Sequence, residues 1–312
     1  MTGATRVVRR SDAEWPDILD GAAALGQPDR VFVRGRRLDI RSPKSIAIVG
    51  SRRPTAAGLA TARSFARGFA EAGFAVVSGL ALGIDAAAHG AALDAGGYTV
   101  AVLGNGVDVS YPPRNARLQE EIAERGSLVS EYPDGTESRP HHFPERNRII
   151  AGLAEAVLVV EGGLKSGALI TARLADHTGR DVYAVPGSIR NPMAAGPNEL
   201  IRTCGARLVT EIEHIISDLA PALVWDGPVD LGPGPRELGL EEFETHVLGS
   251  LSDVPISVDR LCQELGARPG AVTLALARLE IRGLAQKRLT GYELTAAGGR
   301  VVVAFPCSPG SL

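Results

Sequence analysis

Short apolar runs alternate with helical stretches over about residues 45–215 of the chain. The runs are, in order, SIAIVG, FAVVSG, TVAVLG, SLVSEY, AVLVVEGG and DVYAVPG. This alternation is typical of parallel βαβ units. Five of the six runs end in glycine or meet one within two residues, which places flexible backbone at the carboxyl edge of the sheet, where open α/β folds bind ligands. The pattern therefore predicts one composite binding basin.

The stretch after the first run, LATARSFARGFAEAG, has the periodicity of an amphipathic helix. Gly73 follows it and suits the position just beyond a helix end, where the backbone turns left-handed. The predicted apolar face consists of Leu59, Ala62, Phe65, Ala66 and Phe69, with Arg63 and Arg67 toward the flank.

The rest of the chain divides by composition. Residues 221–240 are rich in proline and glycine, which predicts a linker. Residues 241–300 read as three short helices and a β pair, the order of a winged helix-turn-helix. Residues 1–40 hold one amphipathic stretch and the strand-like run VFVRG, and we interpret them as a lead-in. The predicted organisation is a lead-in (1–40), a large α/β domain (41–220), a linker (221–240), a winged-helix domain (241–300) and a tail (301–312).

Length and composition fit this division. With 312 residues and 45% hydrophobic content, the chain can fill the cores of one large and one small domain. Its net charge of −3 gives no whole-chain argument for nucleic acid, so such an argument rests on local patches. Cys204, Cys262 and Cys307 stand far apart, which fits a reducing compartment. The sequence shows no apolar run of about 18 residues and no signal-peptide core, so we expect a soluble, cytoplasmic protein.

The first strand–helix junction, SIAIVGSRRPTAAG, predicts an anion site. A strand that feeds a helix through a glycine turn aims backbone N–H groups and the positive end of the helix dipole at one point. A dinucleotide fingerprint needs glycine at 50, 52 and 55, whereas the chain has Gly50, Arg52 and Thr55. The next strand ends in Ser78 and Gly79 rather than in an acidic residue that would hold a ribose. We expect a phosphate or carboxylate ligand other than NAD.

Two more glycine-rich junctions follow. In SGLALGIDAAAH, residues 78–89, Asp85 is predicted to cap the next helix and is spaced to hydrogen-bond His89. This pair lacks a nucleophile, so we interpret it as structural rather than catalytic. In EGGLKSGALITARLA, residues 161–175, the glycines either only tighten the turn or, with Lys165 and Ser166, form a further anion site beside the first loop.

The stretch RPHHFPERNRIIAG, residues 139–152, places basic residues around Phe143. One interpretation is a solvated charged face. The other is a site for single-stranded nucleic acid, in which a base stacks on Phe143 and guanidinium groups hold phosphates. The adjacent His141 and His142 have no third ligand nearby, so no metal site is expected. The arginines of this stretch are Arg139, Arg146 and Arg148.

Six motifs occur in order along the chain: VGSRRPTAAG, VSGLALGIDAAAH, VLGNGVDVSYPPRN, FPERNRIIAGLA, VVEGGLKSGALITA and VYAVPGSIRNPMAAGPNELI. Together they resemble the DNA-processing protein A family (DprA/Smf) over roughly residues 30–215, and the winged-helix tail is similar too. The resemblance implies an α/β fold, an extended Rossmann-like parallel sheet with helices on both faces, plus a small C-terminal winged-helix domain. Many members carry a helical module ahead of the sheet. This chain reaches its first predicted strand by residue 46, so we expect it to lack that module.

The resemblance also implies a function. Members of the family bind single-stranded DNA without catalysis, form homodimers, and protect incoming DNA and load RecA in natural transformation, with no cofactor, metal or membrane. By matching motif, the DNA-binding residues are Gly50, Ser51, Arg52, Phe143, Arg146, Asn147, Lys165, Ser166 and Gly167. We extend this set to neighbours at the first two junctions, namely Arg53, Ser78, Gly79 and Gly83.

Two other functions fit the sequence less well. A nucleotide-processing enzyme of the lysine-decarboxylase-like Rossmann group would carry PGGxGTxxE, but the chain has EGGLKSGAL, without the threonine and the glutamate that would act as general base. A winged-helix transcription regulator would read bases through PGAVTLALARLE, in which Arg278 is the sole long basic donor. We therefore predict a sequence-independent single-stranded DNA-binding protein.

Overall fold

The structure, a computed structural model, describes residues 4–38, 40, 44–220, 240–252, 255–288 and 290–295. The chain folds into two compact units that divide near residue 225. Nearly all of the predicted linker, residues 221–240, and all of the predicted tail, residues 301–312, lie outside the described residues. The boundaries of these two segments therefore stay predictions.

The larger unit is built on a nine-stranded sheet. Its strands are β1 (Arg6–Arg9), β2 (Arg30–Gly35), β3 (Ser45–Val49), β4 (Ala75–Ser78), β5 (Thr99–Leu103), β6 (Ser127–Ser130), β7 (Ala156–Val159), β8 (Asp181–Ala184) and β9 (Arg207–Leu208). Their order across the sheet is β1-β2-β6-β5-β4-β3-β7-β8-β9. Strands β3 to β9 run parallel, so all six apolar runs of the sequence are confirmed as strands of a parallel sheet.

Helices cover both faces of this sheet. They are α1 (Asp17–Asp20), α2 (Ala56–Glu71), α3 (Ile84–Asp94), α4 (Ala116–Arg125), α5 (His142–Gly152), α6 (Gly167–His177), α7 (Ala195–Thr203) and α8 (Ile212–Leu219). In β3, Ile46 and Ile48 pack with residues of α2 and α3, whereas Ala47 and Val49 pack with residues of α5 and α6. Successive strand side chains point to opposite faces, and for this reason a doubly covered strand is apolar throughout.

Helix α2 has the predicted apolar face. Ala62, Phe65, Ala66 and Phe69 are buried, and Leu59 is partly buried against the same core. Gly73 lies just beyond the helix end with φ at 79°, a left-handed conformation that glycine adopts without a steric cost.

The segment before residue 41 belongs to the sheet. Strand β2 pairs antiparallel with β6, with Val33 opposite Val129, and β1 pairs antiparallel with β2. Val8, Val31 and Val33 are buried in the same core as residues of β5 and β7. The interpretation of residues 1–40 as a lead-in, and of residue 46 as the start of the first strand, was therefore wrong. The alternation in VFVRG is that of an antiparallel strand with its apolar side chains on the core and the others toward solvent.

The strand order reverses at β3. Helix α2 leads from β3 to β4 on one side, while β7 pairs with β3 on the other side. In open α/β sheets such a reversal leaves a crevice at the carboxyl ends of the two central strands. The loops that follow β3 and β7 therefore meet at one place.

The smaller unit contains α9 (Glu242–Gly249), α10 (Val258–Leu265), α11 (Pro269–Ile281) and a hairpin of β10 (Ala285–Arg288) and β11 (Gly291–Leu294). Its own core includes buried residues of all three helices, among them Val247, Leu261, Val272 and Leu276. The predicted winged-helix order of three helices and a β pair is confirmed.

The described residues can be examined for membrane-spanning helices and for disulfide bonds. Across the described ranges, no helix is both long and apolar enough to cross a lipid bilayer. Cys204 and Cys262 are free thiols. Cys307 lies outside the described residues.

Candidate functional site

A cleft of about 530 Å³ opens at the carboxyl edge of the sheet, where the loops after β3 and β7 meet. The loop after β4 and the first turns of α5 and α6 complete its walls. A smaller cavity of about 80 Å³ adjoins it beside the loops after β4 and β5. The residues shared by both cavities are Arg52, Ala81, Tyr111, Phe143 and Arg146.

The N-terminus of α2 is occupied by a carboxylate of the chain itself. Thr55 is the N-cap of α2, and its backbone N–H and hydroxyl donate to the two carboxylate oxygens of Glu161 at 2.8 and 2.7 Å. A Cβ at Gly58 would lie 2.4 Å from this carboxyl group, so the first turn of α2 admits Glu161 because residue 58 is glycine. The end of α2 is therefore filled by a group of the chain itself, and Arg52 faces the cleft. The external anion predicted for this loop stays a prediction.

The N-terminus of α3 is also engaged, since the Ile84 N–H donates to the Ser51 carbonyl at 3.2 Å. The helix begins after Gly83, so Asp85 is its second residue and not the cap that the sequence predicted. The Asp85 carboxylate turns back and accepts the backbone N–H groups of Gly79 and Ala81 at 3.2 and 3.4 Å. Helical side chains lean toward the N-terminus, which brings this carboxylate onto the preceding loop.

The predicted hydrogen bond between Asp85 and His89 was wrong. Because Asp85 is engaged with the loop, His89 is left to pair through Nδ1 with the Thr99 hydroxyl at 2.7 Å. His89 is fully buried, and burial, reinforced by the nearby charge of Arg146, lowers its pKa to about 3. The ring is therefore neutral at pH 7 and serves the interior of the fold.

The N-terminus of α6 opens to the cleft. Ser166 is its N-cap and accepts the backbone N–H of Ala168 at 3.3 Å. Ser166, Gly167 and Ala168 all line the cleft, and a Cβ built at Gly167 would meet no atom within 4 Å. Lys165 is exposed on the adjoining loop. Open space, a positive helix end and a lysine are the features of an anion site, and the anion site predicted at the third junction stays a prediction.

Arg146 forms the floor of the cleft. It is 4% exposed, and its Nη1 donates to the backbone carbonyls of Gly79, at 2.6 Å, and of Val102. A Cβ at Gly79 would lie 2.5 Å from this nitrogen, so the guanidinium can lie against the loop only because residue 79 is glycine. Burial lowers the pKa of Arg146 to about 10, which leaves it charged at pH 7. Burial also disfavours the charged form of Asp85 and so raises its pKa, while the nearby Arg146 charge opposes that change.

The rim of the cleft is a stack of one cation and two aromatic rings. The guanidinium carbon of Arg52 lies 5.4 Å from the centre of the Phe143 ring. The ring of Tyr111 lies on Phe143 with centroids 5.4 Å apart and a tilt of 31°. Tyr111 is 38% exposed, and Arg52 is exposed as well. A flat ligand can therefore reach both an aromatic face and a guanidinium plane.

The arginines of the Phe143 stretch do not act as one charged face. The Nη1 of Arg146 donates to backbone carbonyls. Arg148 forms a bidentate ion pair with Glu131, with N–O distances of 2.9 and 2.7 Å. The cation beside Phe143 comes instead from Arg52, far away in sequence. Arg146 and Arg148 both anchor α5 to neighbouring segments through these contacts. That guanidinium groups of this stretch hold phosphates stays a prediction.

The two histidines of the same stretch pack edge to face, with ring centroids 4.5 Å apart. The rings of His141 and His142 stand at 80° to each other, and His142 Nδ1 pairs with the carbonyl of Gly104 at 2.9 Å. Within the part of the chain that the structure describes, no group of three or more potential ligands is placed to hold a metal ion.

The predicted site residues fall into three groups. Arg53 and Lys165 are exposed on the loops that flank the cleft. Ser51, Ser78, Gly79 and Gly83 serve the scaffold, since Ser51 holds the Arg53 N–H at 3.0 Å and Ser78 donates to the Ile48 carbonyl at 2.6 Å. Those that line the cleft are Gly50, Arg52, Phe143, Arg146, Asn147, Ser166 and Gly167.

Two important residues were not singled out from the sequence. Tyr111 lines both cavities, and its signal was an aromatic residue before two prolines in the loop after β5. Glu161 directly follows the apolar run AVLVV and precedes a pair of glycines. A carboxylate at that position indicates a side chain at the carboxyl edge of the sheet. Each became recognisable through its partners in space.

Replacing Glu161 with alanine tests the closure of α2. The change leaves the N–H and hydroxyl of Thr55 without their acceptor, so the free energy of unfolding should fall by about 1–3 kcal/mol. Chemical denaturation of the full chain measures it, with Glu137→Ala, a change at an exposed glutamate, as the control. A loss no larger than the control's would show that Glu161 does not hold the loop.

Comparisons with known proteins agree with this architecture. Residues 6–220 match the family model of DNA recombination-mediator protein A, and residues 232–288 match that of the DprA winged helix domain. The chain is 40% identical over 307 residues to a putative DNA processing protein DprA of Mycobacterium tuberculosis, which covers 94% of this chain and 78% of the relative.

Two solved structures are similar to the chain. The X-ray structure of DNA processing protein A from Streptococcus pneumoniae has a TM-score of 0.63 and 40% identity, and the match covers 69% of this chain and 74% of that one. A structure of DNA processing protein A from Helicobacter pylori, described as showing a unique single-stranded DNA binding mode, has a TM-score of 0.62 and 29% identity over 71% and 99% of the two chains. The chain therefore belongs to the DNA recombination-mediator protein A family, the DprA/Smf proteins.

Proposed function

We propose that the protein binds single-stranded DNA in the cleft, without regard to sequence. The observation that carries this proposal is the stack of Arg52, Phe143 and Tyr111 beside the open N-terminus of α6. Proteins that hold single strands combine cations for the phosphates with flat side chains for the bases. The cleft has both within one opening.

The phosphates are held by Arg52, Arg53, Lys165 and the first turn of α6. Within the described ranges, no carboxylate forms an ion pair with any of these three side chains. Asp85, the one acid among the described lining residues, is buried and engaged with backbone N–H groups. The opening of the cleft is therefore positive although the whole chain carries a net charge of −3.

The bases lie against the rim stack. Arg52 covers one face of Phe143, so an incoming base stacks on the exposed Tyr111 ring or on the outer face of the Arg52 guanidinium. Every base has a π-face, and stacking therefore tolerates any sequence. Bases within a duplex are already stacked on each other, which is why the cleft favours a single strand.

We further propose that the site is not catalytic. Catalysis of hydrolysis needs a general base within reach of the reacting water. Among the described residues that line the cleft, the Asp85 carboxylate already accepts two backbone hydrogen bonds. Release of phosphate from nucleoside triphosphates, or cleavage of the bound strand, by the purified protein would contradict this proposal.

The winged-helix unit is not the sequence reader in this proposal. Arg278, the long basic side chain of α11, donates to Glu241 at 3.0 Å and to Glu244 at 3.1 Å. A guanidinium so engaged is not free to contact base edges, as a recognition helix requires. This favours a docking role for the unit over that of a transcription regulator.

The biological role we propose is that of the family. The protein protects incoming single strands in the cytoplasm during natural transformation, acts as a homodimer, and transfers the strand to RecA. Support comes from membership of a recombination-mediator family and from the binding of single-stranded DNA by the Helicobacter pylori relative.

Replacing Arg52 with alanine should weaken the binding of unrelated single strands by a similar factor, because a phosphate contact carries no sequence information. The slope of log affinity against log salt should also become shallower by about 0.7. Fluorescence anisotropy at several salt concentrations measures both effects. Arg9→Ala on β1, at the sheet edge, is the matched control for the loss of one charge. An unchanged slope would exclude the phosphate contact.

Tyr111→Ala and Phe143→Ala separate base stacking from packing. Tyr111 is exposed, so its loss should cost about 1–3 kcal/mol of binding and leave the melting temperature nearly unchanged. Phe143 is half-buried against Gly104, so its loss should lower both the affinity and the melting temperature. If Tyr111→Ala binds single strands as tightly as the wild type, no base stacks on that ring.

The role as a mediator predicts that the full chain speeds the assembly of RecA on single strands that are coated with single-strand-binding protein. Binding in the cleft precedes the transfer, so Arg52→Ala should show a smaller stimulation at the same protein concentration. Strand exchange or filament fluorescence measures it. Equal assembly rates with and without the protein would contradict the mediator role.

A further inference from the structure

The turn between β8 and α7 is firmly braced. Gly187 exchanges two hydrogen bonds with the Asn198 side chain, at 3.2 and 2.8 Å. The Asn191 side chain accepts the Met193 N–H at 2.9 Å, and the Asn191 N–H donates to the Ser188 carbonyl at 2.9 Å. These hydrogen bonds fix the backbone of the turn and do not involve the side chains of its outermost residues.

The outermost residues are Ile189 and Arg190. Ile189 is 96% exposed, the highest value among the large apolar residues that the structure leaves exposed in its described ranges. Arg190 is exposed too, and no described carboxylate forms an ion pair with it. An apolar side chain beside an unpaired cation is a surface that suits a base and its phosphate.

This turn contacts both loops that supply the cations of the cleft. Asn191 donates to Glu161 at 3.3 Å, and the Met193 sulfur accepts the Ser51 hydroxyl at 3.3 Å. The Gly162 N–H donates to the Met193 carbonyl at 2.6 Å. The turn is therefore fixed to the segments that carry Arg52 and Lys165.

Arg190 lies within a short distance of Lys165 on the loop that flanks the cleft. A Cβ built at Gly163 lies 4.0 Å from the Pro192 carbonyl oxygen. Arg190 is two residues from Pro192, and Lys165 is two residues from Gly163, so their Cα atoms are at most about 22 Å apart. A strand of a few nucleotides spans that distance.

We propose that Arg190 and Ile189 form an outer contact for the single strand where it leaves the cleft, with Arg190 on a phosphate and Ile189 against a base. This inference rests on the proposed function, since it names where the same strand continues. Charge complementarity and continuity with the cleft identify the ligand as nucleic acid. The contact adds length to the site and no sequence preference.

The test compares full-length variants on oligothymidylates of about 4 to 16 nucleotides by fluorescence anisotropy. Arg190→Ala should leave the affinity for the shortest bound strand unchanged. It should weaken the longest about twofold to fivefold and make the salt slope shallower by about 0.7. Ile189→Ser should weaken the longest strand without a change in slope. Arg9→Ala is the charge-matched control, and melting temperatures confirm that each variant is folded.

Equal affinities of Arg190→Ala and the wild type at every length would overturn the outer contact. A change in oligomeric state for Ile189→Ser with unchanged DNA affinity would also overturn it, in favour of a protein partner. If Arg52→Ala weakens binding while both outer variants are silent, the cleft stands and only the outer contact fails. If the wild type binds no single strand, both proposals fail.

Discussion

The carboxylate of Glu161 is the interaction on which the candidate site depends. It leaves the end of β7, reaches the N-terminus of α2 through Thr55, and accepts a hydrogen bond from Asn191 in the turn after β8. Three loops that are distant in sequence are thereby held at one point of the sheet edge. Because a carboxylate of the chain already occupies the helix end, the proposed phosphate contacts fall to the neighbouring side chains.

Groups of the chain itself also occupy other polar positions around the cleft. The first turn of α3 makes hydrogen bonds with the preceding loops. At the floor of the cleft, Arg146 donates to backbone carbonyls. The positive potential is left with α6, Arg52, Arg53 and Lys165, all at the opening. A long flexible polyanion can meet such a rim along its length, whereas a compact dinucleotide needs bare helix ends in the interior.

Much of the fold was predictable from the sequence, because buried parallel strands are apolar runs and each of the six runs became a strand. Residues 1–40 were misread, since an antiparallel strand with one face toward solvent has a weaker apolar pattern than a strand covered on both faces. Local motifs singled out the first loop and Phe143, and both line the cleft. The roles of Arg146 and Asp85 were not predictable, because a charged residue looks the same in sequence whether it faces solvent or carbonyl groups. Glu161 was missed for a related reason: its partner Thr55 lies far away in the chain.

The central claim is that the strand lies in the cleft of the larger unit. Ultraviolet cross-linking of the full chain to an oligothymidylate, followed by mass spectrometry of the linked peptides, tests it most directly. The account predicts links to peptides that contain Tyr111 and Phe143, and their loss when unlabelled single strand competes. Links confined to α11 and the β10–β11 hairpin, with none in the cleft, would contradict it.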